Sequence, residues 1–310
     1  MLSASTGSKG SNVDRPVTEL DRFFAEAKSL VDAALAASLP PESEPPEVVH
    51  RAMRYAALGL GKRIRPVLAL AAARTLGARE DRLVPFAGAI ECIHACSLIL
   101  DDLPCMDDAR LRRGRDTCHR VFGEATAILA ADALLMLGFR LVAEAGAAAA
   151  LGRREFSDLV RLASDTVGSG GMIGGQSLDL TTRGAADLAT IERVHRQKTG
   201  SLFILATRGT ALLCKANDAE TAALSAYAKN IGLAFQITDD LLDVEGTAAT
   251  TGKDVGLDSH KPNFVALCGV DPAHAIVHEL VGTAKDSLAI FGSRAETLIA
   301  LADRVEERTA

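Results

Sequence analysis

Apolar residues recur along most of this 310-residue chain at the three- and four-residue spacing of amphipathic helices, whereas the alternation typical of strands is scarce. The pattern predicts helices over residues 16–38, 47–59, 64–77, 82–103, 119–145, 153–168, 187–196, 199–214, 218–244, 272–290 and 293–308. Prolines between 40 and 46 separate the first two helices, and glycines between 168 and 175 indicate a break in mid-chain. We therefore expect an all-α fold, a single helical bundle with more than four helices.

Composition agrees with this class and excludes others. Hydrophobic residues make up 48% of the chain, enough for a large core, and there is no Trp. The net charge of -6 offers no overall attraction for nucleic acid, so we expect no such partner. The six cysteines form no CxxC pair, which is typical of thiols in a reducing compartment and predicts a cytoplasmic protein.

The two most unusual stretches of composition are expected to have simple structural roles. Residues 1–15 include a run rich in Ser and Gly without an apolar core, which predicts a disordered tail ahead of one domain over 16–310. The most apolar stretch, 125–139, is interrupted by Asp132 and is shorter than a membrane span requires. We interpret it as a buried helix and expect no transmembrane segment.

An aspartate-rich segment lies at the end of the helix predicted over 218–244. Asp239 and Asp243 are four residues apart and share one helix face, while Asp240 and Asp243 are three apart. The preceding run, 231–237, is apolar enough to be buried, and carboxylates that continue a buried face need a cation. The alternative is a solvated helix end.

A second acidic segment, 100–108, contains Asp101, Asp102 and Asp107. Because Pro104 breaks a helix interior, we expect the helix to end there and a turn to bring Asp107 back towards Asp101. The alternative is an acidic helix-to-loop junction. Oxygen ligands favour Mg²⁺, which binds through a few carboxylates together with substrate phosphates. The two segments therefore predict a site for a diphosphate bridged by Mg²⁺.

Basic residues are placed where they could complete such a site. Gly61, Lys62 and Arg65 open a predicted helix, whose first N–H groups are also available to an anion. The other members of the set are Arg112, Arg113, Lys198, Lys253 and Lys261. Each alone is typical of a surface charge. His94 lies two turns before Asp101 on the same face, where a hydrogen-bonded core histidine is the alternative, and Gln236 shares the face of Asp239.

Six segments occur together in a specific order: GKRIRP (61–66), HACSLILDDLPCMDDARLRRG (94–114), GGQSLD (174–179), QKTG (197–200), FQITDDLLD (235–243) and GKDVGLD (252–258). With them, the chain from about residue 20 to 300 resembles the short-chain trans-isoprenyl diphosphate synthases, the prenyltransferases that make farnesyl and geranylgeranyl diphosphate. The resemblance implies an all-α bundle around a central cavity, usually as a homodimer. It also implies head-to-tail condensation of isopentenyl diphosphate with dimethylallyl, geranyl or farnesyl diphosphate, with three Mg²⁺ ions.

By motif position, the resemblance assigns a role to each candidate. It implies Mg²⁺ ligands at Asp101, Asp102, Asp107, Asp239 and Asp243, with Asp240 in support. The implied allylic diphosphate ligands are Arg112, Lys198, Lys253 and Lys261, and Thr199 and Gln236 position the reacting tail. The implied isopentenyl diphosphate ligands are Gly61, Lys62, Arg65, His94 and Arg113. One departure concerns Lys261, which is followed by Pro-Asn-Phe where the family often has K-x-T-Y.

Product length is expected to depend on the helix before Asp101. Cys96 and Ser97 lie five and four positions ahead of it, and Cys92 lies one turn further back. Farnesyl-forming bacterial relatives tend to carry a bulky aromatic residue at the position of Cys96. Because cysteine is small, we expect a deeper cavity and mainly the twenty-carbon product, geranylgeranyl diphosphate. The alternative is that other side chains close the cavity and farnesyl diphosphate accumulates.

Two other functions are disfavoured by particular residues. A terpene cyclase ordinarily has one aspartate-rich motif and no pocket for isopentenyl diphosphate, whereas this chain has two such motifs, the GKRIRP segment and Arg113. A non-catalytic partner subunit is expected to lack one acidic motif, and both are present.

Overall fold

The computed structural model describes residues 18–182, 187–245 and 263–309, and their regular structure is almost entirely helical, as predicted. The α-helices are α1 (Glu19–Ser38), α2 (Glu47–Ala57), α3 (Ile64–Thr75), α4 (Val84–Asp101), α5 (Cys118–Phe122), α6 (Glu124–Ala148), α7 (Arg153–Val167), α8 (Met172–Thr181), α9 (Leu188–His195), α10 (Ser201–Leu213), α11 (Asp218–Glu245), α12 (Phe264–Cys268), α13 (Val270–Ser287) and α14 (Glu296–Glu306). Short 3₁₀ turns cover 80–83, 289–295 and 307–309, and a π turn covers 196–200. Strands β1 (Leu111–Arg112) and β2 (Arg115–Asp116) form a small antiparallel hairpin. The predicted tail, 1–15, lies outside the described residues.

Small side chains let the central helices approach closely. In the described part of the chain, α4 and α6 form the most extensive helix pair. A Cβ on Gly138 of α6 would come within 2.7 Å of Ile93 Cγ1 and 3.2 Å of the Ala89 carbonyl on α4. The alanine-rich face of α3 is fully buried. One hydrophobic cluster extends from Phe23 in α1 to Val305 in α14, at the close packing typical of protein interiors.

Local polar groups determine where several helices begin. Thr18 caps α1 by accepting a hydrogen bond from the Asp21 N–H at 3.1 Å, and the Asp21 carboxylate accepts one from the Thr18 N–H. Asn217 and Glu220 form the same reciprocal pair ahead of α11. Gly123, at φ 84°, separates α5 from α6 in a conformation that favours glycine.

The predicted helices are present within a few residues of their predicted limits, and the structure adds α8 and α12, which were not predicted. The helix predicted over 119–145 is divided at Gly123 into α5 and α6. The prediction of a continuous glycine-rich break was wrong in its second half, because Gly174 and Gly175 lie inside α8. Tertiary packing outweighs the low helix propensity of these glycines. Gly175 permits close contact with the π turn, and Gly174 permits close contact with the backbone at Ser169.

The prediction that 125–139 is a buried helix was wrong for one face. Ile128, Leu129 and Met136 of α6 are 42%, 57% and 60% exposed. Among the described residues, the stretches 80–101 and 124–148 are long and apolar enough to cross a membrane, by length and composition only. Core helices meet the same criteria, and 72% of the apolar window in 80–101 is buried, so this is weak evidence for a span.

The close contact between α8 and the π turn depends on Gly175. A Cβ at this position would lie 2.2 Å from the Lys198 backbone nitrogen, and that backbone has little freedom to move. We therefore expect Gly175→Ala to lower the free energy of unfolding by about 1–3 kcal/mol, the usual cost of overpacking. Chemical denaturation monitored by circular dichroism measures this change.

The matched control is Gly282→Ala in α13, where an added Cβ meets nothing within 4 Å. Alanine is the better helix former, so this substitution should raise the free energy of unfolding by roughly 0.5–1 kcal/mol. Equal effects of the two substitutions would refute the proposed steric requirement at Gly175.

Candidate active site

The first acidic segment forms a tight turn at the end of α4. The Asp107 N–H donates to the Asp101 carbonyl at 3.0 Å, and the Asp108 N–H donates to the Leu103 carbonyl at 3.0 Å, so the predicted turn is present. Burial raises the pKa of the Asp101 carboxyl to about 6, against the opposing effect of Lys198, and the neighbouring Asp107 raises it further. This carboxylate is therefore held in a setting that a cation would relieve.

The hairpin β1–β2 brings arginines to this turn. Arg112 donates from Nε to Asp102 Oδ1 at 2.9 Å, and a second guanidinium N–H shares the same oxygen. Burial raises the pKa of Asp102, which is 3% exposed, while Arg112 opposes that shift. Asp102, a predicted Mg²⁺ ligand, and Arg112, a predicted diphosphate ligand, thus form an ion pair with each other in this structure.

The π turn places Lys198 opposite the acidic turn. Lys198 Nζ donates to Asp179 Oδ2 of α8 at 2.7 Å. Burial would lower the pKa of this ammonium, but Asp101, Asp179 and Asp107 outweigh that effect and raise it. Lys198 therefore stays protonated within the electrostatic range of both members of the Asp101–Asp107 pair.

A hydrogen-bond network joins the π turn to the second acidic segment. Thr199 Oγ1 donates to Gln236 Oε1 at 2.7 Å, and Gln236 Nε2 donates to Asp240 Oδ1 at 3.1 Å. Asp240 Oδ2 accepts the Phe264 N–H at 2.9 Å and lies 3.6 Å from His195 Nε2. Burial raises the pKa of Asp240 to about 7 despite these hydrogen bonds. Asp240 thus faces the protein interior and fixes the start of α12.

The other two aspartates of this segment have more access to solvent. Asp239 is half-buried and accepts a hydrogen bond from Arg308 at 2.7 Å, while the guanidinium of Arg308 lies 4.5 Å from the centre of the Phe235 ring. Asp243 is exposed. Among the three, Asp239 is in electrostatic range of Arg65, on the basic side of the site.

The predicted isopentenyl diphosphate ligands Arg65 and His94 lie together, and so do Gly61 and Arg113. A nitrogen of Arg65 lies 3.3 Å from His94 Nε2, and its guanidinium lies over the rings of Phe203 and Phe235. A Cβ on Gly61 would come within 2.5 Å of Arg113 Nη1. Burial, and after it the neighbouring arginines, lower the pKa of His94 well below its usual value, so the imidazole is neutral near pH 7.

The residues predicted to limit product length lie along α4. Cys92 and Cys96 are buried in α4, and burial raises the pKa of the Cys96 thiol to about 12, followed by the effects of Asp132 and Asp101. Ser97 donates to the His94 carbonyl at 2.9 Å. Lys253 and Lys261 lie outside the described residues.

The donor set fits Mg²⁺ only if substrate completes the coordination. Within 18–182, 187–245 and 263–309, no three His, Cys, Asp or Glu side chains form a group that could hold a metal ion. Mg²⁺ keeps several waters and typically uses one or two carboxylates with substrate phosphates, so a complete protein cage is not required. Asp101, Asp107 and Asp239 are the carboxylates that would supply oxygen ligands, with Lys198 in electrostatic range of the first two and Arg65 of the third.

Residues 46–289 match the model of the Polyprenyl synthetase family. The chain belongs to this family. It is 44% identical over 281 residues to the farnesyl diphosphate synthase of Escherichia coli, covering 88% of this chain and 92% of the relative. It is 37% identical over 294 residues to the geranylgeranyl diphosphate synthase of Cyanophora paradoxa, covering 92% and 95% of the two chains.

A solved structure shows the same architecture. The geranyltransferase of Helicobacter pylori, complexed with magnesium and isoprenyl diphosphate, aligns with a TM-score of 0.81 at 29% identity, covering 94% of this chain and 98% of that one. This polyprenyl synthetase is therefore a trans-prenyltransferase with the all-α isoprenoid synthase fold. Its relatives differ in product, since both farnesyl and geranylgeranyl diphosphate synthases are among them.

Several residues of the polyprenyl synthetase site were not assigned roles from sequence. Asp179 lies in the GGQSLD segment, and its contact with Lys198 gives it one. Glu91 could have been noticed as a charged residue within an apolar helix. His195 and Arg308 carried no comparable signal, because their neighbours Asp240 and Asp239 are brought to them by folding alone.

Proposed function

We propose that this polyprenyl synthetase is a Mg²⁺-dependent enzyme that condenses isopentenyl diphosphate with allylic diphosphates, mainly to geranylgeranyl diphosphate. The observation that carries this proposal is a division among the basic residues. Arg112 and Lys198 donate hydrogen bonds to the carboxylates of Asp102 and Asp179. By contrast, the guanidinium of Arg65 lies over two phenylalanine rings, and that of Arg113 approaches the backbone at Gly61. The first pair suits a diphosphate bound together with cations at the aspartates. The second suits a diphosphate bound by arginine directly.

The chain's residues supply binding, orientation and charge for this reaction. Asp101, Asp107 and Asp239 would hold Mg²⁺, which when bound stabilises the charge that develops on the departing diphosphate. Lys198 and Arg112 bind the oxygens of that diphosphate as the carbon–oxygen bond of the allylic substrate breaks. Lys198 keeps its full charge because Asp101 and Asp179 maintain its protonation.

The second substrate is bound on the Arg65 side. Arg65, Arg113 and Lys62 bind the diphosphate of isopentenyl diphosphate, and the neutral His94 contributes a hydrogen bond without further charge repulsion. Thr199 and Gln236 orient the allylic tail so that the double bond of isopentenyl diphosphate attacks the allylic carbon. The new carbon–carbon bond leaves a cation on the product, which loses a proton to the departed diphosphate.

The condensation is tested with isopentenyl diphosphate and each of three starters: dimethylallyl, geranyl and farnesyl diphosphate. Chromatography of the products should show chains extended by five-carbon units. We expect Asp101→Ala to lower kcat by about 10²–10³ or more, since it removes charge stabilisation in the transition state, while circular dichroism stays unchanged. The control is Asp286→Ala on the exposed face of α13. Near-normal turnover of Asp101→Ala at saturating Mg²⁺ would rule out the metal assignment.

Product length is proposed to depend on Cys96. This buried side chain lies in α4, five residues before Asp101. Because Asp132 of α6 is within electrostatic range of it, we place Cys96 on the side of α4 that packs against α6. We expect Cys96→Tyr to shift the product from twenty to fifteen carbons, because the aromatic ring occupies space that the growing chain needs. Chromatographic product ratios measure this shift.

The control for this prediction is Cys96→Ser, which changes volume little and should leave the product ratio unchanged. The ratio of twenty-carbon to fifteen-carbon product is measured within each variant, so it does not depend on the fraction of enzyme that is active. An active Cys96→Tyr enzyme that still makes mainly the twenty-carbon product would refute the role of Cys96. Predominant farnesyl diphosphate from the unmodified enzyme would support the alternative product.

A homodimer is proposed from the surface of α6. Four large apolar side chains are 42% to 60% exposed: Val121 of α5 and Ile128, Leu129 and Met136 of α6. Contiguous apolar surface of this kind typically marks an interface. A second copy offers the same apolar surface around a twofold axis.

Location in the cytoplasm and a single domain over 16–310 stay predictions from sequence.

The dimer is tested by Met136→Glu, which places a charge in the apolar face and should shift the chain to monomer. Light scattering after size exclusion at several protein concentrations gives the molar mass. The matched control is Ile290→Glu, which alters an apolar side chain that is 54% exposed elsewhere on the surface. A monomeric unmodified protein, or an undisturbed dimer in Met136→Glu, would contradict the proposal.

A further inference from the structure

Arg63 is a buried charged residue next in sequence to the predicted isopentenyl diphosphate ligands Gly61 and Lys62. It is 3% exposed and adopts φ 52°, in the left-handed region that favours glycine. A non-glycine residue in this conformation is uncommon and needs compensating contacts from its surroundings. Arg63 lies in the loop between α2 and α3, with Lys62 before it and Arg65 two residues after it.

The side chain of Arg63 joins three elements through hydrogen bonds. Nη1 donates to Glu91 Oε1 of α4 at 2.5 Å, and Nε donates to Asp32 Oδ1 of α1 at 2.7 Å. Nη2 donates to the carbonyls of Ala57 and Gly59 at 2.9 Å and 3.1 Å. The guanidinium thus ties the end of α2 and the loop that follows it to two core helices.

Stability alone does not explain such a buried pair. Desolvation of two charges offsets much of their attraction, and apolar residues of similar volume often stabilise a fold equally well. Glu91 is 2% exposed and lies in the middle of an otherwise apolar helix. The pair must therefore contribute something besides packing.

The network is in direct contact with the basic pocket. A Cβ on Gly61 would lie 3.0 Å from Arg63 Nη1 and 2.5 Å from Arg113 Nη1, so both guanidinium groups approach the loop backbone at Gly61 on the side where a side chain would project. Burial lowers the pKa of Arg65 and of Arg113, and Glu91 is the carboxylate that most opposes this lowering. The negative charge of Glu91 offsets the repulsion among these arginines. It leaves the N–H groups of Arg65 and Arg113 to donate to a diphosphate.

We propose that Arg63 and Glu91 are positioning residues for the isopentenyl diphosphate pocket. Arg63 holds the loop that carries Gly61 and Lys62, and Glu91 keeps Arg65 and Arg113 together by its negative charge. Neither side chain touches the substrate. This inference rests on the proposed function, in which those basic residues bind isopentenyl diphosphate and the aspartates bind the allylic substrate.

The test replaces the pair with apolar residues of similar size, Arg63→Met with Glu91→Leu. We expect the double variant to fold, since an apolar pair can substitute for a buried ion pair. The KM for isopentenyl diphosphate should rise about tenfold or more, because small displacements of binding groups have large effects. The KM for the allylic diphosphate and the thermal unfolding temperature should change little.

A second measurement separates positioning from a general structural role. If Arg63 acts by holding the loop that carries Lys62, then combining Arg63→Lys with Lys62→Met should raise the KM for isopentenyl diphosphate by less than the product of the single effects. Independent multiplicative effects would overturn this part of the proposal. Should the apolar double variant fail to fold, Asp32→Asn decides, because Asp32 is 34% exposed at its side chain and its loss loosens Arg63 from α1 only.

The two KM values of each folded variant either support the positioning role of Arg63 and Glu91 or overturn it. Asp32→Asn is expected to raise the KM for isopentenyl diphosphate about threefold with the allylic KM unchanged. Equal changes in both KM values, or none in either variant that folds, would overturn the inference. The control is Lys285→Met with Asp303→Leu, an ion pair at 2.7 Å between α13 and α14. Product formation by the unmodified enzyme tests the proposed function separately.

Discussion

Buried carboxylates with too little positive charge around them are the constraint on which this structure depends. Asp101 and Asp107 lie together in one turn, and burial raises the pKa of Asp101 to about 6 even with Lys198 nearby. An arrangement of this kind would be unfavourable in an ordinary core, because like charges at short range disfavour ionisation. It becomes useful where cations and a diphosphate enter together. The surrounding helices hold the carboxylates and the basic side chains close together, while the negative charge of the carboxylates stays only partly compensated.

Close backbone approach provides much of that control. Gly175 lets α8 contact the π turn at Lys198, and α8 also carries the Asp179 carboxylate that binds the lysine. The next residue of the π turn, Thr199, connects to Gln236 and then to Asp240. Lys198 is therefore positioned by contacts to α8 and α11 as well as by its own backbone. A displacement of either helix would alter the geometry on both sides of the reacting carbon.

The two basic groups differ in the environment that maintains them. Arg112 and Lys198 are paired with carboxylates, so under the proposed function an incoming diphosphate with cations would exchange one set of charged partners for another. Arg65 is held over two phenylalanine rings, and Glu91 and Asp239 act on it over longer distances. Its charge is less well compensated, which favours direct contact with an anion. Under the proposed function, this asymmetry would separate the roles of the two substrates.

Sequence alone determined the helical class, most helix limits and the positions of the two acidic segments, because these depend on local periodicity and on residues close in the chain. The turn after Asp102 was predictable since Pro104 ends the helix. Only the tertiary structure decided that Asp240 faces inward to Phe264 while Asp239 faces Arg308, because adjacent helical residues diverge by about 100° and the packing partners come from distant segments. The same holds for the exposed face of α6, whose apolar composition indicated burial but whose neighbours cover only one side. Folding likewise joined Arg63, Glu91 and Asp32 across 60 positions of the chain, from 32 to 91, a relation that no local pattern encodes.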